Sequence, residues 1–491
     1  MELLSIGTRI KIMIRKGVHF NKEMVRRIIN GGFYNLIALL IFLLLSQTSC
    51  KKFVTIGPPK TQLTSASVFS TDATAIAAIN GIYSQMMGKS GNFARGGNQS
   101  LSFFAGLSSD ELKNYSASGN QIQFYDNALT PTNTSVESFV WVPLYSYIYL
   151  ANSIITGLTD SKDVTASTKK QVEGEAKFIR AFCYFYLINL FGDVPLLTST
   201  DYKITSVASR SGKSEIYQQI VTDLKDAQNL MAKDYSFSNG ERIRPNSYAA
   251  GALLARIYLF IGDNTNAEIE STSIINNISQ YSLLPDLDDV FLKNSNESIW
   301  QLLPITPSFN TLEGNIFILT SAPTDAAMDS NLLKAFESGD NRRINWVGVI
   351  NVGGNAYYFP YKYKVKSSTD LTEYSMVLRL AEQYLIRAEA RAHQDNLTGA
   401  QDDLNIIRNR AGLPNAAANN KKSLLLAILH ERQVELFTEW GHRWLDVKRT
   451  GLADSIFTSE KGTSWKSTNA LYPIPQYEIQ NDPNLSQNPG Y

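Results

Sequence analysis

The chain has 491 residues, 44% hydrophobic and 19% charged, with a formal net charge of +1. That is enough apolar material for a large core, and it excludes both a disordered polyelectrolyte and a strongly basic nucleic-acid surface. Residues 1–49 hold seven Lys/Arg and two Asp/Glu, so the rest carries 39 cations against 43 acids, a mildly acidic net of −4.

The cations of the N-terminus have a purpose. Arg26 and Arg27 precede an apolar run, Leu36–Leu45, followed by Ser46-Gln47-Thr48-Ser49-Cys50. A charged segment, a short apolar run and small residues before a Cys have the layout of a secretory leader. The run falls short of the ~20 residues that cross a bilayer. Residues 1–49 are therefore expected to be a lipoprotein signal, with Met24 a candidate for the true start. Cys50 is the expected lipidation site, although Gln47 stands where such signals usually have Leu. Once Cys50 is acylated, Cys183 is the one remaining cysteine, so the mature chain has no internal disulfide. It lies in an apolar helical pattern and reads as a buried thiol. Residues 50–64 contain Pro and Thr without periodicity and suit a tether.

Helical patterns then follow in chain order: Thr71–Met87, Phe139–Ile155, Val172–Leu190, Glu215–Met231, Tyr248–Ile261 and Ala267–Ile278. After Leu283 the character changes. Glu297–Leu303, Asn315–Thr320 and Tyr357–Val365 are short, rich in aromatic or β-branched residues and separated by Gly, Pro and Asn, which predicts strands and loops. Helical periodicity returns at Tyr374–His393, Thr398–Ala411, Leu424–Trp440 and His442–Lys448. Ser247–Asp263 and Tyr384–Ala411 resemble tetratricopeptide helices: small residues (Ala250, Ala252, Ala255; Ala388, Ala390, Ala392) let neighbours approach closely. The expectation is a single body over 65–491. Its helical-repeat parts lie at about 137–280 and 374–451, and a loop- and strand-rich lobe lies at about 88–133 and 283–373.

Five blocks are more specific than periodicity. They are RAFCYFYLINLFGDVPL (Arg180–Leu196), RLAEQYLIRAEARA (Arg379–Ala392), LNIIRNRAGLP (Leu404–Pro414), HERQVELFTEWGHRWLDVKRTG (His430–Gly451) and PIPQYEIQNDPNLSQNPGY (Pro473–Tyr491). In this order, with a lipoprotein-like N-terminus, they resemble the SusD/RagB family, outer-membrane lipoproteins of Bacteroidota that bind nutrient glycans or peptides and deliver them to a TonB-dependent transporter. The resemblance implies a mainly α fold: a tetratricopeptide-like solenoid of about eight helices in four units, packed against an irregular lobe with short β-strands. It also implies a lipid-anchored protein on the outer face of the outer membrane, acting as the lid of a SusC-like TonB-dependent β-barrel. No cofactor and no metal follow from it.

The chemistry-bearing residues agree with a binding role. The mature chain has three His (His393, His430, His442) and contains no G-x-S-x-G elbow, H-E-x-x-H pair or phosphate-cradling glycine loop. A single Glu-x-x-His (Glu439–His442), interrupted by Gly441, is too little for a carboxylate-bridged metal site. Asp110 and Glu111 are adjacent in sequence and so point apart, unlike a glycosidase pair. No enzymatic activity is expected. Glu431, Glu435 and Glu439 recur every four residues, and Arg379, Arg387, Arg408 and Arg410 are available to them, so a structural ion network is predicted.

Sugar recognition needs exposed aromatic rings on firmly held loops. The candidates in polar, Gly/Asn-rich settings are Phe93, Tyr115, Trp346, Tyr357, Tyr358 and Tyr361. Trp141, Trp300, Trp440 and Trp444 read as core. The turn-rich tail reads as a strap over the solenoid. The cargo is expected to be an oligosaccharide. An oligopeptide, as in RagB-like members, and a ligand-free tetratricopeptide scaffold are the alternatives.

Overall fold

The computed structural model describes residues 21–23, 26–27, 35, 37–42, 68–88 and 91–491. The chain divides into two compact units, Met1–Thr64 and Ser65–Tyr491. Described residues of the first are helical at 22–23, 26–27, 35 and 37–42. The expected start at Met24, lipidation at Cys50 and tether over 50–64 lie outside the described residues.

The second unit is built on helices whose starts are written in the sequence. Helix α1 spans Asp72–Met86, and the Thr71 hydroxyl accepts a hydrogen bond from the Thr74 amide at 3.2 Å, a cap worth about 1 kcal/mol. Helix α2 (Val142–Asp160) follows a π-helical turn over Val136–Trp141. Helix α3 (Ala166–Phe191) is capped by Thr165 and stops at Gly192, whose φ of 77° suits glycine. Then come α4 (Lys213–Leu230), α5 (Ser247–Ile261) and α6 (Asn264–Ile275). After the lobe follow α7 (Leu380–His393), α8 (Leu397–Arg410), α9 (Lys421–Glu435) and α10 (His442–Arg449).

Helices α2 to α9 pack in succession, each against the next, and α6 meets α7 directly although the whole 276–379 segment intervenes. This is the expected helical repeat, with the lobe inserted between two of its units. Buried Ala249, Ala250, Ala252 and Ala255 on α5, and Ala381, Ala388 and Ala392 on α7, make the close approach possible. A continuous apolar core runs from α1 through α3 to α5 and takes in Trp141, Trp300, Trp440 and Trp444, as expected. Cys183 is fully buried in α3.

The lobe holds most of the short strands. β1 (Leu112–Asn114), β2 (Val194–Pro195), β3 (Arg210–Ser211), β4 (Ser298–Leu302), β5 (Ala326–Met328), β6 (Val347–Val352), β7 (Asn355–Pro360) and β8 (Ser375–Arg379) form four antiparallel pairs: β1–β5, β2–β3, β4–β8 and β6–β7.

Three expectations are corrected. Asn315–Thr320 is not a strand: Leu312–Phe317 is a helix, because the Thr311 hydroxyl caps it through the Gly314 amide at 3.0 Å. The helix expected from Tyr374 begins at Leu380, because Ser375–Arg379 pairs with β4 as a strand. The helix expected to reach Trp440 ends at Glu435, since Thr438, Trp440 and Gly441 all take positive φ. Glu439 therefore lies beyond the helical stripe of Glu431 and Glu435.

Candidate ligand-binding face

The site is built upward from a buried ion network. Arg379 donates to Glu297, Glu435 and Glu439 at 2.6–2.9 Å. Arg410 reaches Glu297 at 2.6 Å and also grips Glu435. Arg342 is held bidentately by Asp340 at 2.9–3.0 Å and pairs with Glu431 and Glu435. Burial opposes ionisation of Glu435, but Arg410, Arg379 and Arg342 overcome it and hold the carboxyl well below its ordinary range. Lys362 donates to the Glu435 and Phe437 carbonyls and to Glu439 at 2.5–2.9 Å; burial lowers its pKa to about 8. The predicted network is present and larger than its sequence signature. Glu297, Asp340, Arg342 and Lys362 come from the lobe, and Arg387 instead pairs with Asp403.

This network roots the β6–β7 hairpin. Trp346 immediately precedes β6, is fully buried, and donates its indole N–H to the Leu287 carbonyl at 3.0 Å. Lys362, Arg379 and Arg410 lie 4.9–5.9 Å from its ring centroid. The Tyr361 amide closes the base by donating to the Trp346 carbonyl at 2.8 Å. Along the hairpin, Gly348 stands opposite Phe359, and a Cβ at Gly348 would meet that ring at 2.3 Å. The glycine is required for the ring to lie across the pair.

The outward end carries the candidate rings. β1 pairs with β5, and the Tyr115 amide extends the ladder by donating to the Asp325 carbonyl at 2.8 Å. β5 lies beside β7, which brings Tyr115 against Tyr357 edge-to-face, with centroids 5.8 Å apart. Tyr115 is 39% exposed and Tyr357 is half-buried. The Asp325 carboxylate is positioned by Asn98 at 2.9 Å and Gln121 at 3.4 Å. Asp325 also lines a polar cleft of about 220 Å³ whose other walls include Asn315, Thr320, Ser321, Thr324 and Lys366. Two rings, a fixed carboxylate and a hydroxyl-lined cleft are what a polyhydroxylated ligand requires: an apolar ledge for C–H faces and polar groups for its oxygens.

Of the six aromatic candidates, the structure brings Tyr115 and Tyr357 together. Tyr361 is half-buried beside Phe359 at 5.8 Å, under the Lys364 ammonium. Tyr358 alternates to the other face of β7, where Arg343 covers it at 4.8 Å. Two candidates are corrected. Trp346 is core, because its polar, Gly-rich sequence context belongs to the hairpin that follows it. Phe93 is core as well, 1% exposed among Phe182, Tyr186 and Trp440; its loop folds inward, and the Leu101 amide donates to the Phe93 carbonyl at 2.8 Å. Asn98, Gln121 and Asp325 escaped the sequence reading. The one signal for Asp325 was the polar run Thr320-Ser321-Ala322-Pro323-Thr324-Asp325.

Asp110 and Glu111 do not form a catalytic pair. Asp110 is held bidentately by Arg443 at 2.6–2.7 Å. Glu111 is buried and accepts from the Thr438 amide at 3.1 Å; burial and the Asp110 charge raise its pKa to about 8. Asp110 thereby ties the lobe to α10, and Glu111 ties it to the turn after α9. Among the described residues no cluster of His, Cys, Asp and Glu has metal-binding geometry.

Residues 342–491 match a model described as the SusD family, and residues 66–259 match one described as starch-binding associating with outer membrane. A SusD-like protein P2 of Formosa agariphila is 26% identical over 485 residues, covering 87% of this chain and 94% of its own. A SusD superfamily crystal structure from Bacteroides vulgatus superposes with a TM-score of 0.75 at 22% identity, over 86% of this chain and 99% of that one. A laminarin-binding SusD-like protein superposes with a TM-score of 0.72 at 26% identity, over 86% of this chain and all of that one.

Proposed function

This chain belongs to the SusD/RagB family, and from that premise we propose that it is a non-catalytic, cell-surface lipoprotein that captures nutrient oligosaccharides. It holds them on the Tyr115–Tyr357 ledge and passes them to a SusC-like TonB-dependent β-barrel, for which it is the lid. Cys50 carries the lipid that anchors it to the outer membrane, 50–64 is the tether, and 65–491 is the working body.

The observation that carries the reading is the ledge itself: paired rings held by backbone ladders beside a polar cleft, on a scaffold whose relatives include glycan binders. Capture and release are driven by differential affinity between an open and a closed lid, since a ligand shifts an equilibrium only by as much as it prefers one state. No bond is made or broken.

Titration calorimetry against neutral oligosaccharides and against oligopeptides tests the cargo. Saccharide binding that Tyr115→Ala/Tyr357→Ala weakens about tenfold or more supports the proposal. Binding of peptides alone moves the protein to the RagB-like alternative. Palmitate labelling of Cys50 in the native host and copurification of a TonB-dependent barrel test the anchor and the partner.

A further inference from the structure

A second aromatic hollow lies on elements that the ledge does not use. The π-helical turn over Val136–Trp141 and the start of α2 form one wall, the short helix Tyr202–Thr205 and Ser206 a second, and the tail helix Gln476–Asn481 a third. The space between them is about 430 Å³, within the roughly 300–1,000 Å³ of small-ligand sites. Its floor is aromatic: Trp141 and Tyr145 pack 4.9 Å apart, and the Tyr145 hydroxyl is fixed by donating to the Pro195 carbonyl at 3.0 Å. Glu478 lines the hollow with a half-buried carboxylate that accepts a hydrogen bond from Trp141, and Asn481, Thr205 and Ser206 add amide and hydroxyl groups.

The surroundings are unusual for a surface already satisfied. Tyr202, Tyr477 and Tyr149 lie on the same three elements, outside the lining itself, and are 72%, 59% and 54% exposed. A π turn is rare and is frequently found at functional sites. No Lys or Arg lines the hollow, whereas Glu478 and Asp482 do, so an anionic ligand is repelled. Rings, a carboxylate, an amide and hydroxyls without a fixed cation match an uncharged polyol.

We propose that the hollow between Trp141, Tyr145 and Glu478 is a second carbohydrate subsite, binding a short neutral oligosaccharide independently of the Tyr115–Tyr357 ledge. It rests on the reading of the chain as a glycan binder and adds a second grip on a long chain. Two attachments on one molecule raise the effective concentration of a polymer at the ledge.

Hydrogen-exchange mass spectrometry of the protein with laminarin oligosaccharides and maltoheptaose tests this. The expected result is slowed exchange over 141–149 and 476–485 as well as 112–116 and 355–361. Ser206→Ala/Asn481→Ala, two exposed positions of the lining, and Glu478→Gln are each expected to remove the first protection and leave the second. The saccharide affinity of a Tyr115→Ala/Tyr357→Ala protein is expected to fall a further tenfold or so when Glu478→Gln is added. Protection at the ledge but never at 141–149 and 476–485 overturns the second subsite alone. Protection of that region only by a barrel partner, with no response to glycan, makes it a protein-docking face and also overturns it. No protection anywhere by either saccharide removes the glycan reading and the subsite with it.

Discussion

The two ends of the β6–β7 hairpin are governed by opposite physics. At its root, Trp346 and Lys362 lie in a region where Glu297, Glu435 and Glu439 are met by Arg379, Arg410 and Lys362. At its outer end, half-buried Tyr357 meets Tyr115 edge-to-face, and the Tyr115 ring is 39% exposed. Removing charges from water is costly unless every partner is present, so the root is over-determined. The rings hold position because the backbone beneath them cannot move.

The comparison is broken most severely at the root. Glu435→Ala leaves Arg342, Arg379 and Arg410 facing each other without their shared carboxylate and is expected to cost about 3–5 kcal/mol. Urea titration checks this; an unchanged midpoint with lost glycan binding would reverse the assignment of roles. Arg432→Ala, which strips buried Asp446 of one of its two arginine partners and leaves Arg449 as the other, is expected to act in the same direction.

The pH dependence separates a second contributor. The Glu111 carboxyl, ordinarily near 4.5, is raised to about 8 in the folded chain by burial and by Asp110. Between those values the folded state holds a proton that the unfolded state has released. Its contribution therefore falls as pH rises through the window, by up to about 1.4 kcal/mol per pH unit. Glu111→Gln keeps the carbonyl that accepts from Thr438 and is expected to flatten the fall between pH 5 and 8; equal slopes for the two proteins in chemical denaturation would refute it.

Within the hairpin, Gly348→Ala drives a methyl into the Phe359 ring and is expected to cost about 1–3 kcal/mol by overpacking. Thermal melting measures the cost, and slower glycan capture would follow from the displaced β7. The smallest stability change is expected at the outer end: Tyr115→Ala/Tyr357→Ala should stay within about 0.5 kcal/mol of the parent while losing most glycan affinity. A large drop in melting temperature there would mean that the rings are structural.

Much of the fold was legible because local rules suffice for helices. The cap at Thr71, the stop at Gly192 and the alanine stripes of α5 and α7 all act within a few residues, whereas the cap at Thr165, which starts α3 six residues before the expected Val172, went unread. The strands were harder. Ser375–Arg379 runs into α7 with no break in apolar character, and its extended state is decided by pairing with β4, far away in sequence. The ion network was half legible: the spacing of Glu431 and Glu435 announced it, whereas Arg342 and Lys362 arrive from the lobe. For the site, composition around a ring proved a poor guide to exposure. Trp346 sits among Gly and Asn yet is core, because it closes the root while the Gly- and Asn-containing hairpin beyond it runs out to solvent. Asp325 joins the face only through the β1–β5 ladder, which no local pattern encodes.

A hairpin clamped so firmly at one end is an exchangeable cassette. Residues Val349–Tyr358 can be replaced, lengthened or randomised while Trp346 and Lys362 remain seated, so one scaffold can present a different outer face by editing about ten positions. The same property makes the chain a starting point for engineered glycan-detection reagents, in which selection acts on the tip and the frame is inherited unchanged.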